Sequence, residues 1–470
     1  MNSCTYGDAM WSRREMLKQS AVGFGAVALQ ALLGMESRAE ASPSERPPHF
    51  PARAKRVIFL FMKGGPSHID TFDPKPRLQQ DDGKELPFEK PRVQFGKTTK
   101  LLASPWKFKQ YGESGLPVSE LFPHVAQHVD ELCMLHSLHG TNAAHGGALL
   151  KLHTGSDNFV RPSMGAWVHY GLGTENNSLP GFITICPTLA HGGVKNWGSA
   201  FLPAQYQGVP LGVASQPSAD ARIAHAAPLR PDALQRMQLD YVNSLNRQHL
   251  ELTGPLQELE SRIETMELAF RMQAQAPEAI DLSKETAATK RLYGMDEPVT
   301  EDFGRQCLLA RRLAERGVRF IQVTHSDSMV QWDQHSNLKQ GHEKNALEVD
   351  KPIAGLLQDL KQRGLLHDTL VLWGGEFGRT PVAQSGDGRD HNPEGFTMWM
   401  AGGGVKRGFR YGSTDEYGYY AQQDKMHVHD MHATLLHLLG LDHERLTFRN
   451  AGRDFRLTDI AGKVATKVIA

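Results

Sequence analysis

The chain has 470 residues, enough for one large α/β domain or for two smaller domains. Lys plus Arg and Asp plus Glu both number 52, so the chain lacks the overall positive charge with which proteins gather nucleic acid or acidic membranes. Any anionic ligand must therefore be held by a local group of residues. The 22 histidines are the side chains best suited to metal binding or proton transfer near neutral pH.

The first 41 residues have the features of an export signal. A twin-arginine stretch at 12–18 precedes an apolar segment at 21–33, and Ala39-Glu40-Ala41 offers small residues to a signal peptidase. The apolar segment is short for a bilayer span and is interrupted by glycines. Residues 1–41 are therefore predicted to be a cleaved twin-arginine signal peptide. The expected partner is the twin-arginine export machinery, the expected location is periplasmic or extracellular, and no stable membrane span is expected after cleavage.

The mature chain is predicted to begin with a linker. Residues 42–54 are rich in proline and charge, and residues 55–470 are predicted to form a single domain. Outside the signal, Cys133, Cys186 and Cys307 are far apart in sequence and form no Cys-x-x-Cys pair. At most one disulfide is expected, and a thiolate metal site is disfavoured. Any metal must be held by nitrogen and oxygen ligands.

Buried strands alternate with helices along the chain. The continuous apolar run at 56–62 is typical of a strand that is covered on both faces of a parallel sheet. Later, predicted helices at 303–316 and 348–363 are each followed by an apolar strand, at 317–324 and 369–373. This alternation predicts a mainly parallel α/β sheet whose crossovers cover both faces.

Residues 232–275 have a different composition, rich in leucine, glutamine and glutamate. They are predicted to form an inserted helical hairpin at the surface, with solvated charges. Pro255 is predicted to mark the break between its two helices.

Polar side chains collect where the predicted strands end. Because the carboxyl ends of parallel strands share one edge of a sheet, residues that follow different strands meet there. A single Asp-His pair in a loop is more often a turn or a cap, but four such groups at one edge favour a site for divalent metal. Imidazole with carboxylate suits zinc or manganese, and an oxygen-only site would suit calcium or magnesium. The four groups are Ser67, His68 and Asp70; His325, Asp327, Asp333, His335 and His342; Glu376, Arg379, Asp390 and His391; and His427, His429 and Asp430.

Six stretches of the sequence resemble an exported, sulfatase-like family of unknown function, family 1501, in the alkaline-phosphatase-like superfamily. The resemblance covers nearly the whole chain after the signal. It implies an alkaline-phosphatase-like three-layer sandwich with a mainly parallel central sheet and metal ligands at the carboxyl ends of its strands. The stretches are KRVIFLFMKGGPSHIDTFDPKP (55–76), RPSMGAWVHYGLG (161–173), WDQH (332–335), LVLWGGEFGRTP (370–381), GRDHNPEGF (388–396) and HVHDMHATLLHLLGLDHERL (427–446).

The resemblance also implies individual metal ligands. Asp70 follows the first strand, where the superfamily keeps an acidic ligand. Asp333 and His335 match the Asp and His that bind the other ion. His429, with His427 as its rival, matches the late histidine of that second site.

This chain departs from the superfamily pattern after the strand at 369–373. Relatives have an Asp-His pair there, whereas this chain has Glu376 and Phe377. Glu376 can replace the aspartate as an oxygen ligand, but a phenyl ring binds no metal. We expect His391 to supply the missing imidazole, with Asp390 as a further ligand or as the group that orients the ring.

A second departure concerns the nucleophile. The segment 145–155 matches one that opens with a nucleophilic Cys or Ser in relatives, and here it opens with His145. No Cys-x-Pro-x-Arg motif is present for conversion to formylglycine. His145, Thr141 and Asn142 are the candidate catalytic residues, and direct attack by water is the alternative to a covalent intermediate. Lys63 and Arg379 are expected to bind the anionic group of a substrate.

The leading hypothesis is an exported, metal-dependent hydrolase of phosphate or sulfate esters, acting on a small-molecule or glycan anionic ester. The alternative is a non-catalytic exported binding or scaffold protein that keeps the fold and a structural metal. A nucleotide-dependent oxidoreductase is disfavoured, because the glycines at 402–404 do not form a dinucleotide fingerprint.

Overall fold

The computed structural model of the protein describes residues 45–89, 98–224, 228 and 230–470. The predicted export signal, with Cys4, lies outside these residues, as do the first three residues of the predicted linker. Within the described ranges, no helix combines the length and the apolarity that a bilayer span requires.

The described chain alternates short strands with helices. The strands are β1 (Arg56–Met62), β2 (Thr98–Leu101), β3 (Phe108–Tyr111), β4 (Leu116–Ser119), β5 (Leu132–His139), β6 (Phe182–Ile185), β7 (Val209–Leu211), β8 (Phe320–His325), β9 (Thr369–Gly374), β10 (Gly378–Gln384), β11 (Gly388–Asn392), β12 (Phe396–Ala401), β13 (Phe409–Tyr411), β14 (Ser413–Thr414), β15 (Ala421–Gln423), β16 (Met426–His427), β17 (Phe448–Asn450) and β18 (Arg453–Phe455). The helices are α1 (His68–Thr71), α2 (Pro76–Gln80), α3 (His145–Thr154), α4 (Met164–Leu172), α5 (Asp232–Thr253), α6 (Gln257–Ile280), α7 (Ala287–Leu292), α8 (Glu301–Glu315), α9 (Leu338–Gln362) and α10 (Val428–Leu438).

A nine-stranded sheet forms the centre of the molecule. Its strand order is β13-β5-β12-β9-β1-β8-β6-β7, and β16 also pairs with β5. Strand β1 runs parallel to both neighbours, β8 and β9, whereas β12 is antiparallel to β5 and β9. The predicted mainly parallel α/β sheet is confirmed. Its carboxyl ends bring the segments that follow β1, β8 and β9 to one edge.

The two faces of the sheet each cover a hydrophobic core. In β1, Ile58, Leu60 and Met62 contribute to one core, while Val57 and Phe59 contribute to the other. Helices α8 and α9 cover the first core, and α4 and α10 cover the second. Because both faces are buried, β1 is apolar at almost every position. The result is the predicted three-layer sandwich.

Helix α9 begins ten residues before its predicted start at 348. Its first turns carry polar residues on the buried side, and these interrupt the apolar periodicity on which the prediction depended. His342, expected in a loop, lies on this buried side and accepts a hydrogen bond from the backbone N of Ser67 at 3.0 Å. Asn345 donates to the carbonyl of Gln331 at 2.8 Å. Tertiary hydrogen bonds therefore allow polar residues inside this helix.

The predicted helical hairpin is present as α5 and α6, which are separated at Gly254, Pro255 and Leu256. Helix α6 packs on the domain through Met272 and Ala276, which belong to the first core. Helix α5 lies outside it, and Asn243 is its one buried residue.

A small antiparallel sheet, β11-β10-β2, lies beside the edge of the central sheet where β1, β8 and β9 end. Strand β10 begins four residues after β9 ends, and it pairs with β11 so that Arg379 lies opposite His391. The polar residues predicted after β9 are thus carried back across the end of β1 rather than left in an open loop.

Candidate functional site

The carboxylate of Asp333 is the centre of the candidate site. Its Oδ1 lies 2.9 Å from His335 Nε2, 3.0 Å from His391 Nε2 and 2.7 Å from Arg379 Nη2. Its Oδ2 lies 3.2 Å from His145 Nε2. Burial opposes ionisation of Asp333, but the hydrogen bonds from His145 and His335 and the charge of Arg379 hold its pKa well below the usual range. Four cationic or polar side chains therefore converge on one ionised group.

Asp333 is held in place by its neighbour Trp332. The buried Trp332 donates its backbone N–H to Lys63 O at 3.0 Å and its indole N–H to His325 Nδ1 at 2.9 Å. His325 in turn lies 3.0 Å from Glu348 on α9 through its Nε2. The loop after β8 is thereby fixed to the end of β1 and to a helix.

The close approach between this loop and β1 requires glycine at position 64. Gly64 has a φ of +113°, and a Cβ there would lie 2.7 Å from the backbone N of Trp332. Replacing Gly64 by Ala is expected to lower the free energy of unfolding by about 3 kcal/mol and to displace Asp333. Gly83 is a matched control, since its φ is +74° but no atom lies within 4 Å of an added Cβ. Urea denaturation should show a loss of only about 1 kcal/mol for Gly83→Ala; equal losses would contradict the steric argument.

His391 presents an unprotonated nitrogen to Asp333. It donates from Nδ1 to the carbonyl of Ala143 at 2.6 Å. Burial lowers the pKa of His391 to about 4, so its ring is neutral near pH 7 and Nε2 carries a lone pair. A lone pair that faces a carboxylate oxygen repels it unless a cation or a proton lies between them, so this arrangement fits a bound metal ion. His335 differs, because its bond to Asp333 raises its pKa; it directs Nε2 at Asp333 and Nδ1 at the side-chain oxygen of Gln384.

Among the residues that the structure describes, two groups have the spacing of metal ligands. One is His145, Asp333 and His391, and the other is His335, Asp390 and His391. In each group the ligand atoms lie within 4.8 Å of one another. The described cysteines are buried and free, and neither group includes one. A donor set of imidazole and carboxylate without thiolate suits zinc or manganese.

His145 is the first residue of α3 and connects two carboxylates. Its Nδ1 lies 2.7 Å from Glu376 Oε1, while its Nε2 faces Asp333. Burial opposes protonation, but the bonds to Asp333 and Glu376 raise the pKa of His145 above its ordinary value. Glu376 is fixed by the backbone N–H of Gly64, which donates to its two oxygens at 3.0 and 3.1 Å. His145 is therefore oriented to hold or transfer a proton beside Asp333.

The amino terminus of α3 opens towards the same site. Asn142 accepts a hydrogen bond from the backbone N of Ala144 at 2.9 Å, and the side chain of Asn142 occupies the place where Gly147 would carry a Cβ. Gly146, in the first turn, has no atom within 4 Å of an added Cβ. The free N–H groups of a first helical turn favour an anion. Thr141 is exposed and donates to Asp157 Oδ2 at 3.3 Å, and Asn142 shapes the turn.

Phe377 stands where the resemblance implies a histidine, and it packs against His391. Its ring stacks on His391 with centroids 4.4 Å apart and an interplanar angle of 28°. His391 in turn meets the His145 ring edge-on at 4.4 Å. His391, which was predicted to replace the missing histidine as a ligand, thus stacks on Phe377.

Three predicted metal ligands lie outside both ligand groups. Asp70 is fully buried and its two oxygens accept from Arg389 at 2.7 and 3.2 Å. His429 lies beyond the far end of α3, where its Nε2 is 2.7 Å from Gly155 O. Glu376 is close to the site and uses its oxygens to hold Gly64 and His145. Metal binding by these three residues stays a prediction.

Arg379 was expected to bind the substrate anion. The structure buries it completely, and its guanidinium donates to the backbone oxygens of Gly64, Gly65, Trp332 and Arg389 as well as to Asp333. With its donors occupied, Arg379 positions Asp333 and the end of β1 instead.

Lys63, the other expected anion-binding residue, is buried at the end of β1. Its Nζ donates to Ala190 O at 2.9 Å and lies 3.4 Å from Thr188 Oγ1. Burial lowers the pKa of Lys63 to about 8, and the charge of Glu376 opposes this shift. Lys63 therefore brings the loop after β6 to the site and supplies a positive charge there.

His191, in this loop, was missed by the sequence analysis. Its ring centroid lies 5.4 Å from that of His145, and its φ is +53°. A usable signal was present, because His191 follows the buried run Phe182–Ile185 and precedes two glycines. Strand β6 is parallel to β8, so its loop reaches the same edge of the sheet.

Comparisons with known proteins identify a family. A family model described as "Protein of unknown function (DUF1501)" matches residues 54–469. None of the curated proteins matches the sequence. Among solved structures, the chain is similar to the lipoteichoic acid synthase LtaP from Listeria monocytogenes, with 10% identity, a TM-score of 0.38, and coverage of 88% of this chain and 78% of that chain.

Two further solved structures show similar values. The PsFucS1 sulfatase from Pseudoalteromonas sp. has 12% identity and a TM-score of 0.33, with coverage of 89% of this chain and 72% of that chain. A protein in the alkaline phosphatase superfamily from Vibrio parahaemolyticus has 11% identity and a TM-score of 0.34, with coverage of 89% and 76%. At such identities, the chemistry of this chain must be inferred from its own side chains.

Proposed function

The chain belongs to the DUF1501 family of proteins of unknown function, and from this premise we propose that it is an exported, metal-dependent hydrolase of phosphate or sulfate esters. One observation carries the proposal: the neutral ring of His391 directs a lone-pair nitrogen at the carboxylate of Asp333, and His335 and Asp390 lie within ligand distance of the same ring. A neutral imidazole that faces a carboxylate in this way fits a bound cation. We also propose that residues 1–41 are a twin-arginine signal and 42–54 a linker, so that the domain acts outside the cytoplasmic membrane.

The metal would be held by His335, Asp390 and His391, with Asp333 beside them. The other group uses His145, whose ring is held by Glu376 at 2.7 Å and by Asp333 at 3.2 Å and which we assign to proton transfer instead. The donor set supports zinc or manganese over calcium or magnesium. A divalent ion in such a site supplies Lewis acidity towards an ester oxygen.

The protein's own residues would bind the anionic ester. The first-turn N–H groups of α3, around Gly146 and Gly147, offer donors to phosphate or sulfate oxygens. Lys63 adds a buried positive charge near Glu376. Asp333 and His335 are partly exposed at their side chains, so a ligand can reach them from solvent. This combination favours a small anionic group attached to an organic alcohol.

His145 would act as the general acid. Glu376 orients its ring through Nδ1, so that Nε2 points to the place where Asp333 and the ligand would meet. From there Nε2–H can protonate the departing alcohol oxygen, a role that contributes about 10²–10⁴-fold to the rate in enzymes. The hydroxyl of Thr141 donates its hydrogen bond to Asp157 and not to His145, which favours water over Thr141 as the nucleophile.

The first experiment is metal analysis of purified protein combined with turnover of aryl phosphates and aryl sulfates. Bound zinc or manganese together with hydrolysis of either ester is expected. A protein with neither property would exclude the hydrolase. The alternative, a non-catalytic binding or scaffold protein, draws support from Arg379, whose guanidinium lies 2.7 Å from Asp333 and competes with a metal for that oxygen. Metal binding without turnover would favour this alternative.

The pH dependence of hydrolysis should report on His145. Its pKa is raised in the folded protein, so the ring keeps its proton to higher pH than an ordinary histidine. If the protonated ring is the active form, kcat/KM is expected to be level below this raised pKa and to fall as the pH rises through it. His145→Gln should lower kcat/KM about 10²–10⁴-fold and remove the alkaline limb. A profile that keeps this limb in the variant would assign the titration to another group.

A further inference from the structure

Three large apolar side chains are exposed on the loops that follow β6 and β8. Leu189 is 69% exposed, Val194 49% and Met329 52%. The first two lie in the loop after β6, which also carries His191, and Met329 lies four residues before Asp333 in the loop after β8. Single exposed apolar residues are common on protein surfaces, so their meaning depends on what lies beside them. We call these three side chains the apolar rim.

A hydrogen bond joins the two loops that carry the apolar rim. The hydroxyl of Thr188 donates to Ser328 O at 3.0 Å, and Ser328 immediately precedes the methionine of the rim. On the other side of Leu189, Ala190 O accepts from Lys63 Nζ at 2.9 Å. The residues on both sides of Leu189 are therefore fixed to the rest of the protein, while its side chain stays in solvent.

The two rim residues of the loop after β6 adjoin each other. The Cδ2 atom of Leu189 lies 3.9 Å from the place that a Cβ on Gly193 would occupy, and Gly193 is the neighbour of Val194 in the chain. The short turn Gly193–Asn196 contacts α3, the helix that begins at His145. The apolar rim is therefore anchored beside the helix that carries the proposed general acid.

His145 gives the direction in which the alcohol part of a bound ester extends. Its Nε2–H protonates the departing alcohol oxygen in the proposed reaction, so the carbon bonded to that oxygen lies on the His145 side of the site. Two of the rings that contact His145, those of His391 and Phe377, are buried and leave no room for a bulky group. The third ring, that of His191, lies 5.4 Å away and is partly exposed. Leu189 is two residues from His191, so the open way out of the site leads to the apolar rim.

We propose that the apolar rim binds the alcohol part of the substrate, so that this protein acts on esters of apolar alcohols and not on esters of sugars. The inference rests on the proposed function, because His145 defines where the alcohol lies. Aliphatic side chains gain free energy by covering an apolar group, whereas they offer nothing to the hydroxyls of a sugar. Asp327 and Lys195 are exposed in the same two loops with opposite charges, so these loops do not select a charged alcohol.

Three phenyl esters test the proposal, with phosphate or sulfate as the acid part. The phenol is unsubstituted, carries a 4-butyl group or carries a 4-glucosyloxy group. The three phenols have similar acidity, so the comparison reports on binding of the substituent. The 4-butylphenyl ester is expected to have a kcat/KM at least about 10-fold above that of the phenyl ester, since each buried methylene contributes about fourfold to an association constant. Equal values for these two esters, or a preference for the glucosyloxy ester, overturns the proposal.

A double variant, Leu189→Ser with Met329→Ser, tests the residues. Both side chains are exposed, so the fold is expected to tolerate the change. The ratio of kcat/KM between the 4-butylphenyl and phenyl esters should fall to about twofold or less. Leu252→Ser is the matched control, because Leu252 is an exposed leucine on α5 outside the rim, and it should keep the wild-type ratio. A double variant that also keeps this ratio overturns the assignment.

Binding of phosphonates separates this proposal from the hydrolase itself, because it requires no turnover. By calorimetry, 4-butylphenylphosphonate is expected to bind the wild type with a Kd at least about 10-fold below that of phenylphosphonate, and the double variant should lose this difference. Hydrolysis of both esters without the difference overturns the role of the apolar rim and leaves the proposed function in place. The difference without any hydrolysis contradicts the proposed function and supports the rim as a binding surface for apolar groups.

Discussion

Replacing Asp333 by Asn is expected to abolish metal uptake and to reduce kcat/KM for aryl esters by at least about 10³-fold, or about 4 kcal/mol of transition-state stabilisation. The carboxylate is the one group on which His145, His335, His391 and Arg379 all converge. A neutral amide cannot balance these groups or compensate the charge of a divalent ion. Metal content by mass spectrometry and steady-state kinetics are the measurements.

Asp327→Asn is the matched control for this change. Asp327 is an exposed aspartate in the same loop, where it accepts a hydrogen bond from the backbone N of Met329 at 2.7 Å. The control should keep its metal and its activity, which would separate loss of the site from a general effect on the loop. Full metal content in Asp333→Asn would place the metal elsewhere and remove the basis of the proposed centre.

Replacing Arg389 by Met is expected to lower the free energy of unfolding by about 3–5 kcal/mol. Arg389 and Asp70 form an ion pair in which neither side chain is exposed. The substitution leaves Asp70 buried without a counter-charge and also removes the donor to the carbonyl of Leu102. Arg449→Met is the control, since Arg449 pairs with Asp454 at the surface and should cost less than about 1 kcal/mol.

The pH dependence of this destabilisation has a definite sign. Burial raises the pKa of Asp70, but the charge of Arg389 outweighs burial and holds this pKa below its ordinary value. In the wild type, the stabilising ion pair is present above that value and is lost as the pH falls through the folded-state pKa. Without Arg389 the buried carboxyl of Asp70 prefers its neutral form. The difference in free energy of unfolding between variant and wild type should therefore become smaller as the pH falls. A difference that does not change with pH would indicate that lost packing, and not lost charge, causes the destabilisation.

Much of the fold could be predicted because its signals are local. The apolar runs of β1 and β9 follow from burial on both faces, and the helical hairpin follows from its composition and from Pro255. Strand β12 could not be assigned in this way, because its antiparallel pairing with β5 depends on residues about 260 positions away. The start of α9 was hidden by His342 and Asn345, whose burial depends on tertiary partners.

The site could be predicted where several of its residues follow the carboxyl ends of parallel strands. Asp333, His335, Asp390, His391 and His145 meet because their segments reach one edge of the sheet. Asp70 satisfies the same rule, yet its partner is Arg389, more than 300 residues further along the chain. The composition of a loop does not show whether a carboxylate will meet a metal or a guanidinium. The surroundings of Arg379 were hidden for the same reason, because its backbone acceptors come from three other segments.

The backbone of the tripeptide Lys63-Gly64-Gly65 positions several parts of the site through hydrogen bonds. Lys63 O accepts from the backbone N–H of Trp332, the N–H of Gly64 donates to Glu376, and the carbonyls of Gly64 and Gly65 accept from Arg379. Parts of the site from two distant segments are thus aligned to three consecutive residues. A displacement of this tripeptide moves these parts together, so their mutual alignment does not accumulate the displacement of each segment. The precision of the site therefore depends on one short turn and not on the whole length of the segments that it joins.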